Sequence, residues 1–295
     1  MTEWSKSLVE WTNGSAAYLS VVFTWDLPKA YMRAVWLRQQ GYEVKAGGPA
    51  CLLMPDYLAE VADVNGCAAD ALWRHNPDAT FTSRGCIRKC AFCAVPKIEG
   101  DLVELDEWEP KPIVCDNNLL ACSKKHFDKA IDSLKGVEGV DFNQGLDARL
   151  LTDYHAERLA ELDLVRVRLS WDRTNLEREV FSAAERVHWA GVPRTKITIF
   201  CLIGFWDSPS DALYRLRTVR GQGYVPFPMR YQPLSLLERN GYVAPGWSNR
   251  ELNRYMKYWS RLRFTRAIPF EEFGLGGSAP VKSQATLELM GTRQA

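Results

Sequence analysis

Strand-like and helix-like stretches alternate along the chain from residue 79 onward, and this alternation restricts the fold more than any other feature of the sequence. Stretches rich in β-branched and aromatic residues predict strands at 79–83, 112–116, 139–143, 164–170, 195–201 and 226–231. Amphipathic patterns predict helices between them at 125–135, 152–162, 174–190 and 208–221. Such alternation is typical of parallel strands joined by right-handed crossovers. Six βα units do not complete an eight-stranded barrel, so we expect an α/β fold with an open, partial (β/α)6 barrel over 79–247.

A smaller unit precedes this series. Residues 17–24 and 42–45 are predicted strands, and residues 28–40 between them carry apolar residues at helical spacing. This order of elements is that of a β-α-β unit. We therefore expect a small Rossmann-like segment over 1–66, followed by a connecting helix over 67–78.

Composition excludes some classes of protein and leaves others open. No apolar run approaches the roughly 20 residues that a membrane-spanning helix needs. The first six residues lack the basic and apolar regions of a signal peptide, so we expect a cytoplasmic protein without a membrane partner. The formal net charge of +1 neither favours nor excludes a polyanionic partner.

The eight cysteines fall into two groups. In the cytosol they are not expected to form disulfides, because thiols are kept reduced there. Scattered cysteines are predicted to be small buried side chains, and these are Cys51, Cys67, Cys115, Cys122 and Cys201. Cys115 and Cys122 are too few to complete a second cluster. The remaining three form a tight group directly after the first strand of the βα series, and these are Cys86, Cys90 and Cys93.

The spacing Cys-x3-Cys-x2-Cys favours an iron–sulfur cluster. Thiolates are the usual ligands of such clusters, and three of them leave the fourth iron of a cubane without a protein ligand. A structural zinc site normally takes four ligands, and the nearest candidates, His75 and Cys115, do not complete one. An electron-transfer cluster would use a fourth cysteine. A non-enzymatic iron–sulfur or zinc protein remains the alternative to an enzyme.

The segment Cys-x3-Cys-x-aromatic-Cys, with Phe92 as the aromatic residue, resembles the signature of the radical S-adenosylmethionine (SAM) superfamily. The resemblance covers about residues 78–235. It implies a [4Fe-4S] cluster on Cys86, Cys90 and Cys93, with SAM as the ligand of the open iron. It also implies reductive cleavage of SAM to methionine and a 5′-deoxyadenosyl radical, which abstracts hydrogen from an unidentified substrate. A flavodoxin- or ferredoxin-type protein would supply the electron.

The N-terminal segment resembles a cobalamin-binding domain in part. Residues 41–50 are similar to the end of the domain that precedes the barrel in a cobalamin-dependent or methylthiotransferase-like branch of the superfamily. The Asp-x-His-x-x-Gly loop that ligates cobalt in that branch is absent from the sequence. We therefore expect residues 1–66 to be a degenerate relative that binds no cobalamin.

Under this resemblance, residues that follow the later strands would hold SAM. Asp116, Asn117 and Asn118 follow the second strand, where the family binds the SAM amino group, although an Asx-turn is the alternative. Candidates after the next two strands are Gln144, Asp147, Arg149, Ser170 and Asp172, with loop capping as the alternative for the first three. Candidates after the last two strands are Gly204, Arg230 and Gln232. Arg166 and Arg168 share one face of their strand, which leaves open whether that face lines the lumen or lies under a helix.

A basic and aromatic helix is predicted at 248–264, within a C-terminal segment over 248–273. Four cations recur on one face of it, and these are Arg250, Arg254, Lys257 and Arg261. They either lie in water while the apolar face covers the barrel, or follow the phosphates of a nucleic acid, with Tyr258 or Trp247 stacked on bases. Modification of a nucleic acid or nucleobase is therefore an alternative function. Residues 274–295 are expected to be a mobile tail.

Overall fold

The structure is a computed structural model, and it describes residues 7–64, 71–265 and 267–274. Its strands are β1 (Leu8–Asn13), β2 (Ala16–Val21), β3 (Glu43–Gly47), β4 (Ala79–Thr80), β5 (Ser83–Arg84), β6 (Val103–Glu104), β7 (Ile113–Val114), β8 (Val140–Phe142), β9 (Leu164–Ser170), β10 (Ile197–Ile203) and β11 (Val225–Arg230). Its α-helices are α1 (Leu27–Gln39), α2 (Pro49–Leu53), α3 (Ala71–His75), α4 (Val95–Ile98), α5 (Lys124–Leu134), α6 (Asp153–Ala160), α7 (Glu177–Trp189), α8 (Pro209–Gly221), α9 (Asn249–Trp259) and α10 (Leu262–Thr265).

Six strands form one sheet in the order β11-β10-β9-β8-β7-β4. Every pairing in this sheet is parallel. Strand neighbours in the sheet are neighbours in the βα series, so the chain advances by one strand at each crossover. The α/β class and the parallel arrangement predicted from the sequence are therefore confirmed.

Burial explains why these stretches form strands and helices. The middle of the sheet is apolar, and Val167, Ile199 and Cys201 are fully buried. Helices α5 to α8 bury one apolar face each in the same core, as Ala184 and Leu216 illustrate. Helix starts are fixed by hydroxyl side chains that accept the N3 amide, and these belong to Ser123, Thr152, Ser208 and Ser248.

The last strand of the sheet contains two prolines. β11 pairs with β10 along one side, with Pro226 opposite Ile199 and Pro228 opposite Cys201. The amide of Tyr231 donates to the carbonyl of Ile203 at 2.9 Å. Because successive amides of a strand point to opposite sides, the odd-numbered amides face β10 and positions 226 and 228 face the free edge.

The N-terminal segment forms a three-stranded sheet with its own core. β2, α1 and β3 form the predicted β-α-β unit, and β2 pairs with β3 in parallel. β1 was not predicted, and it pairs with β2 in an antiparallel hairpin. The two-residue turn is Gly14-Ser15, with Gly14 at φ 59°, and glycine is common at the first turn position of short hairpins.

Some elements differ from the sequence predictions. The acidic stretch 100–110 contains β6, which pairs antiparallel with β5 beside the cysteine loop. The connecting helix predicted over 67–78 is the short α3, and residues 67–70 lie outside the described residues. The predicted tail lies almost entirely outside them as well. Across the described ranges, every helix is too short or too polar to cross a membrane.

Candidate functional site

A cavity of about 400 Å³ opens at the carboxyl ends of the parallel strands. In open α/β sheets this edge is where ligands bind. Loops that follow five different strands form its wall, which includes the three clustered cysteines. The predicted site residues that line it are Cys86, Cys90, Phe92, Cys93, Asn117, Asn118, Gln144, Asp147, Arg149, Ser170 and Asp172.

The cysteine loop begins with a turn that only glycine adopts readily. Gly85 has φ 69°, and a Cβ atom there would lie 2.0 Å from the carbonyl oxygen of Asp101. The carboxylate of Glu99 accepts the Gly85 amide at 2.8 Å and the Asn117 side-chain amide at 2.7 Å. Arg84 adds an ion pair to Glu99 at 2.9 Å. The two ends of the loop are thus tied to each other and to the loop after β7.

The three cysteines share one part of the cavity wall and are partly exposed. The backbone amide of Arg88 donates to the Cys86 sulfur at 3.3 Å, and the Asn118 amide approaches it at 3.6 Å. Burial raises the pKa of the Cys90 thiol, and the nearby Arg149 charge opposes this. Burial also raises the pKa of Cys93. In the chain as described, no three Cys, His, Asp or Glu side chains are arranged around the position of a single ion.

A network centred on Asp147 forms the wall beside Cys86. Two nitrogens of Arg149 donate to the Asp147 carboxylate at 2.7 and 3.0 Å, and Arg88 donates to it at 2.9 Å. Burial alone would raise the pKa of Asp147, but the hydrogen bonds from Arg149 and Arg88 outweigh it and lower the pKa. The carboxylate is therefore ionised between two guanidinium groups, and the network carries a net positive charge.

Asn118 has an unsatisfied acceptor next to this network. The residue is 3% exposed and lines the cavity. Its amide nitrogen donates towards Cys86 and, at 3.4 Å, towards Asp147. Its side-chain oxygen has no hydrogen-bond partner among the described residues. Because buried polar atoms are nearly always paired, this oxygen indicates a missing donor.

A second cavity of about 470 Å³ adjoins the first. Both cavities share part of their walls, namely Asp172, Arg173, Asn175 and Trp206. Arg215 lies under the second cavity with no exposed surface. It donates to the carbonyl oxygens of Trp171 at 2.6 Å and Leu202 at 2.9 Å and forms an ion pair with Asp207. Burial raises the pKa of Asp172, and the charge of Arg215 opposes this.

Asp116 is a predicted site residue that lies outside the cavity wall. It accepts the backbone amide of Thr82 at 2.7 Å, the Thr82 hydroxyl at 2.5 Å and the Ser83 hydroxyl at 2.8 Å. Its two oxygens are thus used to hold the chain between β4 and β5. The neighbouring Asn117 and Asn118 line the cavity instead.

Three further predicted site residues also lie outside the cavity wall. Gly204 has φ 76° and forms the turn that follows β10. Arg230 donates to the carbonyl oxygens of Asn240 and Tyr242, both at 2.7 Å. Gln232 pairs with the Asn240 side chain at 2.7 Å. Arg230 and Gln232 therefore hold the loop after β11. Their alternation with apolar residues suggested them as site residues, but it could not reveal that their partners lie in this loop.

The basic face of α9 is partly used within the fold. Arg254 donates to the carbonyl oxygens of Phe273 at 2.6 Å and Glu271 at 2.9 Å. Arg250 donates to the carbonyl oxygen of Gly274 at 3.2 Å, whereas Lys257 and Arg261 are exposed. Tyr258 and Trp247 are 1% and 7% exposed, so the alternative in which one of them stacks on bases is wrong.

The two arginines of β9 and the five scattered cysteines differ in their surroundings. Arg168 forms an ion pair with Asp141 on the adjacent strand β8, whereas Arg166 is exposed. Cys51, Cys115 and Cys201 are buried, as predicted. Cys122 is only partly buried, and Cys67 lies outside the described residues.

Sequence reasoning missed part of the cavity wall. Arg173, Asn175 and Trp206 follow β9 and β10, but each stands one to three residues beyond the strand-end positions that were considered. The buried Arg215 was missed because it lies on α8, where an arginine normally faces water. The two adjacent aromatic residues Phe205 and Trp206 after Gly204 are the sequence feature that could have indicated Trp206.

Comparison of the sequence with protein-family models and with curated proteins found no match. The activity of the cavity must therefore be inferred from its own residues.

Proposed function

We propose that this chain is a radical SAM enzyme, with a [4Fe-4S] cluster on Cys86, Cys90 and Cys93 and SAM in the first cavity. In this proposal the six-stranded sheet and its helices are a partial (β/α)6 barrel. One observation supports this proposal most directly. Three cysteines with the expected spacing share a cavity wall with Asn118, whose buried side-chain oxygen has no partner.

The residues around the cysteines fit an iron–sulfur cluster. Three thiolates and a cubane form an anionic group, which N–H donors and positive charges stabilise. Arg88 supplies an amide to the Cys86 sulfur, and Arg88 with Arg149 supplies a net positive charge through the Asp147 network. Each cysteine sulfur binds a different iron of a cubane, so the three sulfurs need not converge on the position of one ion. When bound, the cluster would supply the electron that cleaves the S–C5′ bond of SAM.

The cavity also offers groups that fit the parts of SAM. The Asn118 oxygen would accept a hydrogen bond from the amino group, while Arg149 would attract the carboxylate. Ser170 and Asp172 would contact ribose hydroxyls, and Phe92 would pack against the adenine. A volume of about 400 Å³ lies within the usual range for small-molecule sites.

Anaerobic reconstitution with iron and sulfide tests the proposal. The expected result is a brown protein that binds about four iron atoms per chain and releases 5′-deoxyadenosine when dithionite and SAM are added. Alanine variants at Cys86, Cys90 or Cys93 should lose the cluster, whereas Cys122→Ala should retain it as the matched control. A colourless, zinc-loaded protein, or a cluster retained in all three variants, would contradict the proposal.

The role of Asn118 has a separate test. Removal of a hydrogen bond to a charged group costs about 1.5–3 kcal/mol, so Asn118→Ala should raise the Kd of SAM by about 10-fold to 100-fold. Asn117→Ala is the control, because the amide of Asn117 is already held by Glu99. Equal affinities of the two variants in equilibrium dialysis would show that Asn118 does not hold the amino group.

A further inference from the structure

We infer that Asp147 holds two positive charges beside the proposed cluster and thereby sets the reduction potential of that cluster. This role deepens the proposed function and rests on it for the [4Fe-4S] cluster on the three cysteines, but it does not depend on SAM cleavage. Asp147 is a positioning residue in this account, because its carboxylate acts on the cluster through the side chains of Arg88 and Arg149.

Two loops at the carboxyl edge of the sheet meet at the Asp147 carboxylate. Arg88 lies between the first two cysteines of the cysteine loop, and its Nε donates to Oδ2 of Asp147 at 2.9 Å. Arg149 lies in the same loop as Asp147, after β8, and donates from both Nε and Nη2. The carboxylate side chain is 6% exposed, whereas the two arginine side chains are 34% and 37% exposed. The carboxylate is therefore the fixed group, and it holds the guanidinium groups in place.

The two arginines depend on this one carboxylate for their position. Across the residues that the structure describes, each of them forms a single ion pair, and in both cases the partner is Asp147. Without the carboxylate, Arg88 and Arg149 would extend into water, because a solvated position restores their hydration and their rotamer freedom. Two positive charges are thus kept at the cavity wall by one negative charge.

The arginines lie close to the sulfur atoms that would bind the cluster. The backbone amide of Arg88 donates to the Cys86 sulfur at 3.3 Å, so the side chain of Arg88 starts beside that sulfur. Burial raises the pKa of the Cys90 thiol, and the charge of Arg149 is the largest effect that opposes it. Each arginine is therefore next to a different cysteine of the proposed cluster site.

Asn118 shows independently how close the network is to the cysteine loop. Its side-chain nitrogen lies 3.6 Å from the Cys86 sulfur and 3.4 Å from Oδ2 of Asp147. A single nitrogen atom thus separates the sulfur from the carboxylate. At such a separation a unit charge changes an equilibrium that creates charge by about 10-fold or more, even with partial screening by water.

The sign of the effect distinguishes positioning from a direct charge effect. Reduction adds one negative charge to the cluster, so positive charge beside it stabilises the reduced form and raises the potential. If Asp147 contributed only its own negative charge, Asp147→Asn would raise the potential. If Asp147 holds the two arginines in place, the same substitution lowers the potential, because two positive charges are lost together with one negative charge.

Redox titration of the reconstituted protein without SAM tests the inference, with electron paramagnetic resonance as the measure of the reduced cluster. Asp147→Asn should lower the equilibrium constant for reduction by about 10-fold, which is about 59 mV for a one-electron couple. Arg149→Gln should also lower it. Asp128→Asn is the matched control and should leave the potential unchanged, because its carboxylate also accepts from two cations, Lys124 and Arg158, but lies outside the cavity wall.

A double variant tests whether the carboxylate and the arginine act together. In Asp147→Asn the guanidinium of Arg149 has already moved into water, so the addition of Arg149→Gln should change the equilibrium constant by less than about 2-fold. Additive effects of the two substitutions overturn the inference. A raised or unchanged potential in Asp147→Asn, or a shift as large in Asp128→Asn, overturns it as well.

Iron content and deoxyadenosine release separate this inference from the proposed function. If Asp147→Asn loads no iron, Arg149→Gln decides: a lowered potential supports the inference, and an unchanged one overturns it. Deoxyadenosine release with unshifted potentials defeats only this inference. Shifted potentials without deoxyadenosine release defeat only the proposed function. An unsubstituted protein that loads no cluster defeats both.

Discussion

Arg215→Met should destabilise the protein strongly, because it removes a buried cation that organises two strand ends. Arg215 has no exposed surface and joins Trp171, Leu202 and Asp207 through its guanidinium. The variant would leave two carbonyl oxygens without this donor and one buried carboxylate without its counter-charge. Breaking a buried pair by removing one partner costs about 3–5 kcal/mol, and we expect a loss of this size in the free energy of unfolding.

Urea denaturation followed by circular dichroism measures this loss. With a denaturant slope of about 3 kcal/mol/M, the midpoint should fall by about 1–1.7 M. Burial raises the pKa of Asp207, and Arg215 opposes this, so the variant should raise that pKa further. The folded state then binds more protons than the unfolded state. The loss of stability in the variant, relative to the unsubstituted protein, should therefore become smaller as the pH falls from about 7 towards the ordinary carboxyl pKa of about 4.

Two further variants make the test decisive. Arg217→Gln removes an arginine two residues away whose ion pair with Glu271 is exposed, so it should cost less than about 1 kcal/mol. Asp207→Asn combined with Arg215→Met should recover part of the loss at pH about 7 and remove its pH dependence. If Arg215→Met is no less stable than Arg217→Gln, or if the double variant recovers nothing, the account of Arg215 is wrong.

Three other predictions concern the loops and helices around the site. Gly85→Ala should prevent cluster loading, measured as iron per chain, whereas Gly136→Ala, with open space around its Cβ position, should not. Asp116→Asn should lower the free energy of unfolding by about 1.5–3 kcal/mol in urea denaturation, because a charged acceptor for Thr82 and Ser83 is lost. Burial lowers the pKa of His155, so the unfolded state binds more protons and stability should fall as the pH drops below about 6.5. His155→Gln should reduce that dependence, and an unchanged pH profile of the urea midpoint would contradict it.

The sequence was most informative where periodicity and strand order coincide. The predicted strand 164–170 matches β9 to the residue, and the six parallel strands follow from the alternation alone. β1 was missed because its residues, which include Glu10 and Asn13, are mixed in polarity and none of them is buried. The two-residue turn Gly14-Ser15 between the two strands would have indicated it.

The site was predictable to the extent that strand ends meet at one edge of a parallel sheet. Asn118, Asp147 and Asp172 were predicted in this way, and all three line the cavity. Side-chain direction was not predictable, since Asp116 turns towards Thr82 while its neighbour Asn118 lines the cavity. Partners distant in sequence could not be predicted either, because no residue near Arg230 in the sequence indicates that it donates to the carbonyl oxygens of Asn240 and Tyr242.

The prolines of β11 determine how the sheet can terminate. Pro226 and Pro228 are the two neighbouring residues of β11 whose nitrogens face away from β10, with Phe227 between them. A proline nitrogen carries no hydrogen and cannot donate a hydrogen bond. An extended segment of another molecule laid along this border would therefore lack two consecutive donors and gain little from pairing. The edge of the sheet at β11 can therefore remain without a further strand and still not promote aggregation by strand pairing.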